Sequence, residues 1–255
     1  MHIHIISIFP EIFDNFISTS LIKKAQEKKI LKFSYSNPRQ FCPDKHQKVD
    51  DTIYGGGAGL LMKAKPAIEA VESILSSFSK GGAWKAEDLK TKKKSKIHLS
   101  TKVGNQSFKI ILLSPSKTIF KQKMAHDLAK VDHLIFVCTR YEGIDYRFEK
   151  YMKKQYGKAF EKVSLGQFIT LGGEVPTMMM IEAITRLIPG VIKEEASRQE
   201  ESYSIKEDMN NLEYPQYTHP DEVLGMKVPK VLLSWHHKNI QEWRTSKTKL
   251  LSKKK

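Results

Sequence analysis

This sequence predicts an α/β domain built on a largely parallel sheet. Two continuous apolar runs, KIILLS (109–114) and HLIFVC (133–138), have the composition of strands buried on both faces. A third run, HIHIISIF (2–9), is followed directly by Pro10, a residue that suits the first turn of a helix. Strands that alternate with helices in this way build parallel sheets.

Taken in order, HIHIISIF is the first strand, and a helix is expected from Pro10 to about Lys28. ILKFSYS (30–36) is the second strand. Residues 37–58 are polar and run into the glycine-rich YGGGAGL. A helix is expected from about Pro66 to Ser77, and residues 79–108 read as a low-complexity insertion rich in Lys, Ser and Gly. A helix over roughly 119–130 joins the two buried strands. Val175–Leu187 has apolar residues at helical spacing and stops at Pro189-Gly190. The expected division is an α/β domain over 1–188, a polar linker over 189–211 and a small helical domain over 212–255, with a helix from about His237 to Leu250.

Composition excludes several classes. With 255 residues, 40% apolar and 28% charged, the chain can bury a substantial core. Its apolar runs are too short to span a bilayer. Met1–Phe9 reads as a strand rather than a leader, so no membrane partner and a cytoplasmic setting are expected. Cys42 and Cys138 are too few for a disulfide framework and lack metal-ligand spacing. Lys and Arg number 43 against 28 Asp and Glu, a net +15, which favours a polyanion such as nucleic acid. The positive charge concentrates in Lys90–Lys96 and in Lys227–Lys255, where Glu242 is the single acid. Lysine runs of this kind also serve as solvated tails.

Ligands of open α/β sheets bind beyond the carboxyl ends of the strands. Three such ends carry unusual loops here: LSPSK (113–117), CTRYEGID (138–145) and SLGQFITLGGE (164–174). None matches a triphosphate-binding loop, since YGGGAGLLMK has its lysine too late and no Ser or Thr after it, and GxGxxG is absent. The glycines of VSLGQFITLGGEVP (163–176) suit a small, largely apolar cofactor held by backbone groups, or simply a tight crossing of two backbones. On spacing alone, Arg140 pairs locally with Glu142 or Asp145. Glu201 is one acid in a solvated run, and YGGGAG is a hairpin loop. His236-His237 is adjacent on a helix and points apart, which disfavours a metal site.

The ordered motifs IISIFPEIF (5–13), VDDTIYGGGAGLLM (49–62), LLSP (112–115), CTRYEGID, SLGQFITLGGEVP, RLIPGV (186–191), EAS (195–197), LEYPQYTHP (212–220) and VPKVLLSWHH (228–237) together resemble the bacterial tRNA (guanine-N1)-methyltransferase family, TrmD. The resemblance covers most of the chain. It implies a SPOUT-type parallel sheet whose carboxyl half forms a deep trefoil knot, and a helical C-terminal domain that grips tRNA. It also implies S-adenosylmethionine in the knot, a homodimer with active sites shared between subunits, and methyl transfer to N1 of the guanosine at position 37, 3′ of the anticodon. The family's reaction depends on magnesium, for which the sequence names no ligand.

By position, the resemblance assigns catalysis to Glu201 and Arg186. It assigns the cofactor to Leu113, Ser114, Pro115, Thr139, Tyr141, Glu142, Ser164, Leu165, Gly166, Gln167, Phe168, Ile169, Thr170, Gly172, Gly173 and Pro176, and tRNA contact to Asp50, Asp51 and Gly59. The sequence departs from the family pattern in several places. Glu201 stands for an aspartate, Gln167 for an acid and Phe168 for a tyrosine. Thr170-Leu171 inverts the usual order. Thr139, Lys117 and Trp235 stand for glycines, and His219 for an arginine. These departures keep two other readings open: a tRNA-binding protein with a degenerate cofactor site, and a SPOUT methyltransferase with a different RNA target.

Overall fold

The computed structural model describes residues 1–78, 102–103, 106–193, 201–203 and 211–252. Two compact units divide the chain, Met1–Ile192 and Lys193–Lys255.

The first unit opens with β1 (His2–Ile6) and a 3-10 turn over Pro10–Phe13, then α1 (Asp14–Ile17), α2 (Ser20–Glu27) and β2 (Lys32–Ser36). The single helix expected to Lys28 is therefore broken. Thr19 is extended (φ −118°, ψ 152°), and the hydroxyls of Ser18 and Thr19 bond back to the Asn15 carbonyl, a local competition that interrupts helices. The polar stretch 37–58 holds a 3-10 turn at Pro38–Phe41 and β3 (Asp50–Thr52), which forms a hairpin with β4 (Leu60–Met62). After α3 (Ala64–Phe78) come β5 (Lys102–Val103), β6 (Gln106–Leu113), α4 (Gln122–Leu128), β7 (His133–Val137), α5 (Tyr146–Tyr156), β8 (Phe160–Val163) and α6 (Glu174–Thr185).

Five strands lie parallel in the order β2-β1-β7-β6-β8, and β5 pairs antiparallel with the start of β6. The insertion expected over 79–108 is thus too long at its end. Residues 106–108 belong to β6, and Phe108 is buried in its core. Residues 79–101 and 104–105 lie outside the described residues, as do 194–200 and 204–210 of the expected linker.

Burial on both faces explains the continuous apolar runs. Ile3, Ile5, Ile111, Leu134 and Phe136 face the cluster under α2, α4 and α6, while Ile6, Ile110, Leu112, Ile135 and Val137 face α3 and α5. Helix α5 and strand β8 are not in the sequence-based reading. In YRFEKYMKKQY the apolar stripe is only Phe148, Met152 and Tyr156, a four-residue repeat masked by lysines, and the Asp145 side chain caps it by accepting from the Arg147 N–H at 2.8 Å.

In the second unit β9 (Glu222–Val223) and β10 (Met226–Lys227) form a hairpin, followed by α7 (Lys230–Leu233) and α8 (His237–Ser252). Trp243 on α8 packs against Tyr214 and Tyr217 with ring centroids 6.5 and 6.3 Å apart.

At the sheet's far end Asp132 accepts from both the Ser107 N–H and hydroxyl at 2.8 Å, which holds its carboxyl below the ordinary aspartate range. A depressed carboxyl contributes stability above its ordinary pKa of about 3.9, and that contribution is lost as pH falls through its folded value. Asp132 is solvent-exposed, so screening limits the effect. Asp132→Ala is expected to cost about 1 kcal/mol at pH 7 in denaturant titrations. The difference from the parent should shrink as the pH drops below about 4.

Candidate functional site

Three loops leave the carboxyl ends of β6, β7 and β8, and backbone hydrogen bonds lace them together. Ser114 N–H donates to the Val163 carbonyl (3.1 Å), Ser164 N–H to Thr118 (2.9 Å), Phe120 N–H to Ser164 (2.8 Å) and Gly173 N–H to Thr139 (2.8 Å). The Thr139 hydroxyl adds a bond to the Leu113 carbonyl at 3.1 Å.

At Gly173 two backbones cross at close range. A Cβ there would lie 2.9 Å from Cys138 Cα and 3.0 Å from Thr139 N, both backbone atoms that cannot swing aside. Gly172 is constrained differently. A Cβ there would sit 2.3 Å from Arg140 Nε and 2.6 Å from Glu174 Oε2. Those atoms form an ion pair at 2.8 Å, with Glu174 only 1% exposed. The Ser7 hydroxyl donates to the other Glu174 oxygen at 2.7 Å, so the buried charge has partners on two sides. Arg140 is therefore not the local partner of Glu142 or Asp145 that spacing suggests. It reaches across to α6, and Asp145 pairs with Arg147. Sequence spacing cannot see a contact between residues that the fold alone brings together.

Between the three loops lies a cleft of about 300 Å³. Leu113, Ser114, Pro115, Thr139, Tyr141, Glu142, Ser164, Leu165, Phe168, Ile169, Thr170, Gly172, Gly173 and Pro176 line it, joined by Gly143, Val163 and Leu171. Gly166 and Gln167 stand outside that lining. The Ser164 hydroxyl closes a small turn there, donating to the Gly166 carbonyl at 2.8 Å and accepting its N–H at 3.2 Å. The volume is at the small end of ligand sites, about 300–1,000 Å³. Among the described residues Glu142 is the one charged residue of the lining, with no lysine or arginine. That lining suits an uncharged or cationic ligand held by backbone groups and disfavours a phosphate. Cys138, buried beside the crossing, has its thiol pushed well up by burial and bonded to the Thr177 hydroxyl at 3.2 Å, so it is no nucleophile.

The β3–β4 hairpin abuts the same wall. Glu142 N–H donates to Leu60 (3.0 Å), Met62 N–H to Gly143 (3.0 Å) and Asp145 N–H to Met62 (2.9 Å). Gly59, at φ +91°, lies against Glu142, whose Cγ would be 2.7 Å from a Cβ there. Asp50 and Asp51 are on β3. Asp51 forms an ion pair with Lys63 at 3.5 Å and borders a second cleft of about 910 Å³ that also holds Lys48, Lys65 and Arg147. The structure thus places Gly59 against Glu142 of the smaller cleft and Asp51 on the larger one.

Arg186 follows the last turn of α6, its N–H bonded to the Glu182 carbonyl at 3.3 Å. Glu201 begins a short segment of the second unit that is tied to 211–213. There Tyr203 N–H donates to the Asn211 carbonyl and Glu213 N–H to the Ser202 hydroxyl, both at 2.9 Å.

Helix α6 is apolar on more than its core face. Val175 and Met179 are 58% and 56% exposed, and Phe168, Ile169 and Leu171 on the preceding loop are also exposed. A helix apolar beyond one stripe is usually covered.

Comparison with known proteins gives one consistent result. The family model described as "tRNA (Guanine-1)-methyltransferase TrmD" matches residues 1–255. A protein of Dictyoglomus turgidum is 39% identical over 244 residues, covering 96% of this chain and 83% of its own length. One from Carboxydothermus hydrogenoformans is 40% identical over 250 residues (98% and 83%), and one from Bacillus subtilis 36% over 248 (97% and 87%). All three are named tRNA (guanine-N(1)-)-methyltransferase.

The crossing makes a direct prediction. Gly173→Ala should destabilise the protein by about 1–3 kcal/mol, because the new methyl meets fixed backbone. Gly166→Ala should cost less than about 1 kcal/mol, because it meets only the Phe168 ring, 2.8 Å away on a side chain that can move. Thermal denaturation of the two variants beside the parent makes the comparison.

Proposed function

Since the chain belongs to the tRNA (guanine-1)-methyltransferase family and is a tRNA methyltransferase by that membership, we propose that it transfers a methyl group from S-adenosylmethionine to N1 of guanosine 37. The observation that carries the proposal is the cleft at the carboxyl ends of β6, β7 and β8, which presents backbone groups, apolar surface and the Glu142 carboxylate, but no lysine or arginine. When bound, S-adenosylmethionine supplies an electrophilic methyl on a sulfonium. The Glu142 carboxylate suits that positive charge, and a phosphate cofactor would find no cation. The laced loops, in this reading, are the trefoil knot, and their backbone groups hold adenine and methionine.

Transfer would break the donor's sulfonium–methyl bond, leaving a neutral thioether, form an N1–methyl bond and release the N1 proton. Glu201 takes that proton as general base, and Arg186 stabilises the negative charge that develops on O6. Glutamate in place of aspartate keeps the carboxylate and lengthens its reach by one methylene. Both residues act on the cleft of the partner subunit in a homodimer, whose interface covers Val175, Met179 and the exposed apolar residues of the preceding loop. The second unit, with Arg244 over Tyr214 and Lys247 over Trp243, and the β3–β4 hairpin with Asp50, Asp51 and Gly59 contact tRNA. Among the described residues no helix is long and apolar enough to cross a membrane, and the cytoplasm, where tRNA is processed, is the proposed site of action. No side chain is assigned to magnesium, and no step runs through it.

The test is transfer of labelled methyl to unmodified transcripts carrying G or A at position 37, followed by nucleoside analysis. Label should appear as 1-methylguanosine with G alone. Glu201→Ala and Arg186→Ala should each lower turnover by about a hundredfold or more while leaving S-adenosylmethionine affinity within a few-fold of the parent. Turnover unchanged in both variants would remove them from the mechanism. Binding of tRNA without any label would favour the degenerate cofactor site, and label at another nucleotide a different RNA target.

A further inference from the structure

Three histidines gather at the opposite end of the sheet from the cleft. His2 and His4 share one face of β1, and His133 opens β7, directly beside His2 in the parallel register. One ring nitrogen from each lies within 4.8 Å of the others. We propose that His2, His4 and His133 form a site for a divalent transition cation of the zinc class, with water completing the shell.

The outer contacts of two rings already match this role. His133 Nε2 donates to Gln106 Oε1 at 3.1 Å, which leaves the Nδ1 lone pair facing inward. His4 Nδ1 lies 2.7 Å from the Ser34 hydroxyl, which can accept its proton and free Nε2. Metal-bound histidines characteristically donate their second nitrogen to such a partner. His4 Nε2 and His133 Nδ1 are hydrogen-bonded to each other at 3.0 Å, and a metal between them would displace the shared proton. Two nitrogens on a tetrahedral zinc at bonds of about 2.0–2.1 Å stand roughly 3.4 Å apart, so the pair needs little movement. Among the described residues His2 Nε2 is buried in the same group without a hydrogen-bond partner, a costly arrangement that a metal would relieve. His2 itself is half-buried, so an ion and its waters have a route in. Imidazole ligands suit zinc, copper and nickel over calcium or magnesium.

Among the described residues the neighbouring charges are Lys32, the N-terminal ammonium and Asp132. Two cations against one anion oppose an incoming dication, so structural stapling of β1 to β7 is expected at moderate affinity. His133 and Thr139 are six residues apart on a strand and its extension, about 20 Å, so the metal takes no part in methyl transfer.

The experiment is calorimetric titration of zinc into the chelator-treated full chain, beside His2→Ala and a control His236→Ala/His237→Ala. One zinc per chain is expected in the parent and the control, with at least about tenfold weaker binding in His2→Ala, since loss of even an outer partner costs about 10–100-fold. Circular dichroism confirms that the variants fold. Cobalt should give the visible bands of tetrahedral nitrogen ligation in the parent, a readout that needs no variant. Methyl transfer, assayed with magnesium supplied, should be the same for the zinc-free and the zinc-loaded chain, so this site and the methyltransferase reading fail independently. No saturable zinc binding, undiminished binding in His2→Ala, or binding lost in the control would each overturn the proposal.

Discussion

The close approach of the Gly173 backbone to Cys138 and Thr139 is the constraint on which the candidate site depends. It brings the start of α6 against the loop after β7, and only a residue without a Cβ permits it. The buried Glu174 next to it then has to be neutralised. Arg140 does so from the β7 loop and Ser7 from the end of β1, so one ion pair ties three segments to a fixed geometry. Breaking such a pair by removing one partner leaves an uncompensated buried charge, which costs about 3–5 kcal/mol. Gly172 follows from the same pair, since a side chain there would occupy the space of the guanidinium. The glycines of residues 163–176 thus serve close backbone approach and the space for an ion pair. The cleft is what the three laced loops leave between them.

The parallel sheet was legible because burial on both faces writes an uninterrupted apolar run, as in Ile110–Leu113 and Leu134–Val137. Elements with mixed surfaces were not. Helix α5 shows only three buried apolar residues among lysines, and β8 has four residues of which the middle two, Glu161 and Lys162, are charged and half-buried. The break at Ser18-Thr19 depends on side-chain hydroxyls competing for one carbonyl, which apolar periodicity does not report. Within the site, the lining of the cleft could be read because consecutive motif residues stay together in a loop. The Arg140–Glu174 pair could not, because 34 positions separate the two residues and only the fold joins them. Trp235 lies between these cases. Its φ of 56° is the left-handed backbone that favours glycine, which explains the glycine of the family pattern but not why a tryptophan is accepted here.

The sheet divides its labour by direction. At the carboxyl ends the strands release loops whose backbone groups and apolar side chains make a cleft without a lysine or arginine. At the amino ends β1 and β7 begin with histidines packed against Phe78, whose ring lies 3.9 Å from that of His133. Positive charge concentrates elsewhere, above all in Lys227–Lys255. In the proposed function, a polyanionic substrate and a cationic methyl donor would meet surfaces of opposite character on one chain.

Hydrogen exchange with residue resolution, with and without S-adenosylmethionine, tests the central claim most directly. If the laced loops form the cofactor site, the ligand slows exchange at Thr139–Glu142 and Leu165–Gly173. The 910 Å³ cleft beside the hairpin should then be unaffected. Protection confined to that larger cleft, or none at Leu165–Gly173, would contradict the account.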